Sequence, residues 1–155
     1  DPGEEGAIAR WASARELVGV VRLDGGRVPG GAWPWFAPGE VVFYEPPPVV
    51  AGRASHSSAL KQGANAGEVA GFARGRGCRV LAAPPGEWQK IAGIPPLRGF
   101  SRAAAKRERD RLGRLKIVSL IGETLPDGRA VLSLSSGEVD ACLIGWAGFV
   151  LDGRR

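Results

Sequence analysis

The alternation of apolar and polar positions divides the chain into short elements. GAIARWAS over 6–13 alternates with period two, and ELVGVVRLDGG over 16–26 is rich in β-branched residues and ends in a glycine pair. With only a short link between them, the two segments predict an antiparallel hairpin. RVPGGAWPWFAPG over 27–39 has no period and predicts a loop. EVVFYEPPP over 40–48 predicts a buried strand stopped by prolines, which leaves Glu45 at its C-terminal end. Ser55 can cap a helix over 56–74, and CRVLAAPP over 78–85 predicts a short strand. Strand, helix and strand in that order imply a parallel pair joined by a right-handed crossover. EWQKIAG predicts a helical turn ending at Gly93, a charged helix follows from Ser101 to about 121, and RAVLSL over 129–134 reads as extended. SGEVDACLIGWAGFVLDG over 136–153 predicts a last helix capped by Ser136. The whole, 1–155, is read as one α/β domain: a mixed sheet, with antiparallel hairpin strands and parallel strands, flanked by helices.

Composition narrows the class. At 155 residues and 44% apolar the chain can bury a core without staples. It contains no apolar run of the 18 or more residues that span a bilayer, and nothing has the order of a signal peptide. A soluble cytoplasmic protein with no membrane partner is the expectation. Two cysteines, Cys78 and Cys142, and one histidine offer neither a disulfide framework nor a zinc site. The net charge of +5 comes mostly from arginine, which binds phosphate oxygens in bidentate fashion, so nucleic acid is the first partner to test. A compositional bias toward Ala, Gly and Arg is the competing explanation.

Three acids fall at element ends: Asp1 before the hairpin, Glu45 after a strand, and Asp140 one turn into the last helix. Open α/β sheets place ligands at such edges. Crowded carboxylates repel one another unless a cation neutralises them, and Mg²⁺ prefers oxygen ligands. Two such ions can activate a water and stabilise the leaving oxygen in an in-line attack on a phosphodiester. An acidic site within a basic protein suits a nuclease.

DPG ahead of a hairpin, VVFYE, SSALKQGANAG, PPGEWQKIAGI and VDACLIGWAG occur in this order. In these motifs the chain resembles the RuvC-type Holliday-junction resolvases, most closely their compact, phage-like branch, over 1 to about 150. The resemblance implies a ribonuclease H-like fold and a Mg²⁺-dependent endonuclease, with Mn²⁺ as a substitute. It further implies a homodimer without a small-molecule cofactor, nicking opposed strands of four-way DNA junctions in the nucleoid. Carried over by position, Asp1, Glu45 and Asp140 become the metal ligands. The family has a further acid three or four residues before the last, where this chain has Gly137 and Ser136; Glu138, two before Asp140, is the weaker substitute. In the family an apolar strand also precedes DPG and carries its aspartate to the middle of the sheet. The implication is about half a dozen further residues of strand upstream of Asp1.

The charged helix carries Arg102, Lys106, Arg109 and Lys116 near one stripe, and Lys90 precedes it. Such a stripe could follow a phosphate backbone; a solvated face is the simpler reading. By resemblance, Lys106 matches a lysine close to the scissile phosphate. Trp33 and Trp35 either stack on bases of an opened junction or cap the sheet edge. Gly63, Gly67 and Gly71 form a side-chain-free stripe that either packs on the sheet or, as the resemblance implies, joins a dimer interface. Two other readings compete with the resolvase: a nuclease of this fold for flap DNA or RNA–DNA hybrids, and a branched-DNA-binding module without turnover.

Overall fold

The computed structural model describes residues 6–46 and 56–153. Asp1 and Ser55, expected as a metal ligand and a helix cap, lie outside them. Four strands and four α-helices follow in order: β1 (Ala7–Ser13), β2 (Glu16–Arg22), β3 (Val41–Tyr44), α1 (His56–Gly75), β4 (Arg79–Ala82), α2 (Pro85–Ala92), α3 (Arg102–Ile121) and α4 (Ser136–Asp152). β1 and β2 pair antiparallel from Ala7↔Arg22 to Ser13↔Glu16, with register shifts around Trp11. β3 and β4 pair parallel from Val41↔Arg79 to Tyr44↔Ala82, joined through α1, as the strand–helix–strand pattern predicts. The fold is mixed α/β.

The period-two pattern sorts side chains to two faces. Ala9, Trp11 and Phe43 point into a core built on α4, with Trp88 of α2 and Ile117 of α3. Their neighbours Ile8 and Val42 point to a second core of Phe36, Ala73 and Cys78 beneath α1. The strands therefore lie between two helical layers. α4 is the hub, and Val139, Cys142, Leu143, Ile144 and Ala147 are almost fully buried. Glycine lets the strands approach it: a Cβ at Gly145 would lie 2.9 Å from Trp11 Cδ1, and one at Gly148 would overlap the Phe43 ring. Among the described residues no helix is long and apolar enough to cross a membrane.

The two strand pairs are not hydrogen-bonded to each other among the described residues. β1 runs from the start of α4, where Arg22 beside Ala7 reaches Glu138, to its later turns, where Trp146 Nε1 donates to Ala14 O at 3.0 Å. β3 runs the other way, from Val41, whose partner Arg79 pairs with Asp152. A groove of about 580 Å³ separates them, walled by both strands and floored by Ala141, Ile144 and Phe149.

Three local expectations are corrected. The segment 27–39 is not all loop, since Gly30–Trp35 winds into a 3₁₀ helix that buries Ala32. Residues 129–134 are not a strand. Leu125 N–H donates to Arg129 O, Val131 N–H to Glu123 O and Ser133 Oγ to Ala130 O, so local partners take the backbone and Val131–Ser133 is a 3₁₀ turn. The cap of α4 is Ser135 rather than Ser136. Ser135 Oγ accepts from Glu138 N–H at 3.3 Å while Glu138 Oε2 accepts from Ser135 N–H at 2.9 Å, a reciprocal capping box.

Candidate functional site

Glu45 leaves the end of β3 at the edge of the strands. Trp88 on the first turn of α2 is fully buried, so its indole N–H needs an acceptor, and Glu45 Oε2 supplies it at 2.8 Å. Asp140 sits on the second turn of α4, 8% exposed. Its carboxyl is pushed up to about 6, chiefly by burial, with Glu45 and Asp110 adding to the rise and the guanidinium of Arg109 opposing it. Glu45 and Asp140 thus share one acidic neighbourhood. Arg109 Nη2 donates to Asp140 Oδ2 at 3.4 Å, whereas Asp140 Oδ1 is buried with no hydrogen-bond partner among the described residues. An orphaned buried carboxylate oxygen is expensive, and a hard cation is a suitable partner for it. Among the described residues no three His, Cys, Asp or Glu side chains are grouped to hold a metal ion. Glu45 and Asp140 are therefore the described part of the expected set.

The substitution of Glu138 for a missing ligand does not fit. Glu138 is fully buried, accepting from Arg129 Nη1 at 2.7 Å, Arg22 Nη2 at 3.2 Å and the Ser135 N–H. Burial alone would raise its pKa, but these donors overcome it and hold the carboxyl at about 2. Both oxygens are taken, so this acid anchors the start of α4 instead of facing a cation.

The basic stripe divides. Lys90, Arg102 and Lys106 are exposed, and Lys106 lies one turn before Arg109 on the same side of α3. Arg109 is half-buried and pairs with Asp140. Lys116 Nζ lies 4.4 Å from the centre of the Trp146 ring, an arrangement that ties it to α4. Trp35 joins the partly buried residues around Phe36 and touches Gly19, as an edge cap would. Trp33 is 49% exposed, its ring tilted against Phe72 and its N–H bonded to Val28 O at 3.2 Å. At Gly63, Gly67 and Gly71 an added Cβ would meet nothing within 4 Å, so the stripe does not serve packing onto the strands among the described residues.

One residue escaped the sequence reading. Asp110, within the charged helix, is 8% exposed and accepts from Ser136 Oγ at 2.5 Å. Its spacing from Gly113 and Ile117, at three and seven residues, marks the buried stripe of α3 and could have revealed it. The chain matches no protein-family model, and no curated protein matches it.

Proposed function

We propose that this protein is a ribonuclease H-like, metal-dependent endonuclease that resolves four-way DNA junctions as a homodimer. The observation that carries the reading is that Glu45, 95 positions earlier by number, acts electrostatically on the buried Asp140, which also pairs with Arg109 of α3. The groove between the facing edges of β1 and β3 is also consistent with a fold whose sheet takes another strand at that place.

When bound, Mg²⁺ or Mn²⁺ would neutralise these carboxylates and act as a Lewis acid toward water and the phosphodiester. Glu45, fixed by the Trp88 N–H, and Asp140, fixed by α4, would hold it, with Asp1 as the expected third ligand. Arg109 neutralises Asp140 in the free protein and is placed to turn to an incoming phosphate. Lys106 and Lys90 stay solvated and hold the polyanion, so binding weakens steeply with salt. Trp33 offers one exposed ring to an unstacked base. The glycine stripe of α1 is the surface we assign to the dimer.

A panel of four-way junction, flap, duplex and RNA–DNA hybrid, each with and without Mg²⁺, tests the proposal. Paired nicks in the junction alone are expected. Hybrid or flap cleavage instead would move the assignment to another nuclease of the fold. The Arg109–Asp140 ion pair favours one second reading, a junction-binding module in which arginine stands where a cation would. Tight junction binding without turnover in Mg²⁺ or Mn²⁺ would establish it.

A further inference from the structure

Asp110 and Asp140 share an unusual feature. Each is 8% exposed, and each has a buried Oδ1 atom without a hydrogen-bond partner among the described residues, as has the Nε of Arg109 beside them. Their other oxygens are engaged, Asp110 Oδ2 by Ser136 Oγ at 2.5 Å and Asp140 Oδ2 by Arg109 Nη2 at 3.4 Å. The connectivity brings the two together. Ser136 and Asp140 are four residues apart on one face of α4, and the residues that reach them, Asp110 and Arg109, are consecutive on α3. The charge of Asp110 accordingly acts on Asp140. Two carboxylates out of water, each with an unsatisfied oxygen, lack a positive partner at those atoms.

We propose that Asp110 is a further acid of the cation site, holding a divalent ion jointly with Asp140. The inference rests on the metal-dependent reading of Asp140 and pairs it with an acid from a different helix; no three acids are grouped to hold one ion among the described residues, so Asp110 joins Asp140 and not Glu45. Mg²⁺ commonly binds through one or two carboxylates and keeps several waters, so a pair of acids suffices. Ser136 then acts as a positioning residue, because its hydroxyl fixes one Asp110 oxygen and leaves the other for the ion. The helix N-terminus also has a use for a nearby acid, and a purely structural Asp110 would serve α4 as a cap.

Mn²⁺ binding to the full chain, followed by calorimetry and by the electron paramagnetic resonance signal of free Mn²⁺, separates the two roles. Asp110→Asn should weaken Mn²⁺ binding at least about tenfold, and Ser136→Ala by a similar factor, since residues that orient ligands contribute on that scale. The melting temperature of metal-free Asp110→Asn should equal or exceed that of the parent, while its rise on adding Mn²⁺ shrinks. Unchanged Mn²⁺ affinity in Asp110→Asn, or a lower metal-free melting temperature with affinity intact, overturns the proposal and leaves the cap. Should Asp110→Asn fail to fold, Ser136→Ala decides, and affinity within twofold of the parent overturns the proposal. If the parent binds no Mn²⁺, the metal-dependent reading fails as well; a parent that binds it while both variants do so equally removes only Asp110.

Discussion

Replacing Glu138 by Gln tests whether this acid is an anchor or a ligand. Glutamine can keep the capping-box acceptor for the Ser135 N–H, while its NH2 then faces Arg129, so the change removes the charge together with one accepted hydrogen bond. The carboxyl is held at about 2 against an ordinary value of 4.5, and its side chain is 1% exposed. At 1.36 kcal/mol per unit this corresponds to about 3 kcal/mol of stabilisation. Arg22 and Arg129 are partly solvated, which screens their pull, so about 2–3 kcal/mol is the expected loss at pH 7. For a domain of this size that lowers the melting temperature by roughly 5–10 °C. The sign of the pH dependence follows from the depressed value. The contribution is complete above pH 4.5 and disappears as pH falls toward 2, so the difference from the parent should drop to under about half by pH 3. Urea unfolding at pH 3 and pH 7 measures it. A loss below about 0.5 kcal/mol at pH 7, or a difference that does not change with pH, would refute the reasoning. So would a large loss of Mn²⁺ affinity in Glu138→Gln.

Asp140→Asn should act in the opposite direction in metal-free protein. The carboxyl is raised from 3.8 to about 6, so its charged form costs up to about 3 kcal/mol above pH 6; with the Arg109 pair lost, a gain of about 1–3 kcal/mol is expected there, closing as pH falls to 4, by urea unfolding with chelator present. Gly148→Ala forces a methyl group into the Phe43 ring and should cost about 1–3 kcal/mol, read from the urea midpoint, with an unchanged midpoint contradicting the packing of β3 on α4.

Local signals were legible because they depend on near neighbours. The alternation in GAIARWAS and ELVGVVR gives the hairpin, the prolines after Tyr44 end β3, and Gly93 at φ 75° ends α2 as its position predicts. The one-residue shift of the α4 cap was legible but overlooked: both Ser135 and Ser136 can cap a helix, and the Glu three positions after Ser135 marks the capping box. Partnerships across long separations were hidden. Nothing in the sequence couples Arg22 to Glu138, 116 residues away, so Glu138 looked available for a metal. The run of charges from Arg102 to Lys116 likewise concealed Asp110, whose burial comes from α4 crossing Gly113 and not from its sequence neighbours. Of the candidate site, Glu45 and Asp140 were legible as acids at element ends; their shared neighbourhood and the Trp88 and Arg109 contacts emerged only with the fold.

The proposed function requires Glu45 and Asp140 to serve one cation-dependent cleavage site. Single-turnover cleavage of a synthetic four-way junction by the parent and by Glu45→Gln, in Mg²⁺ and in chelator, tests it most directly. Paired nicks by the parent in Mg²⁺ alone are expected, with at least about a hundredfold slower cleavage by Glu45→Gln, the scale of losing one transition-state electrostatic contact. Cleavage undiminished by the substitution, or equal in chelator, would contradict it.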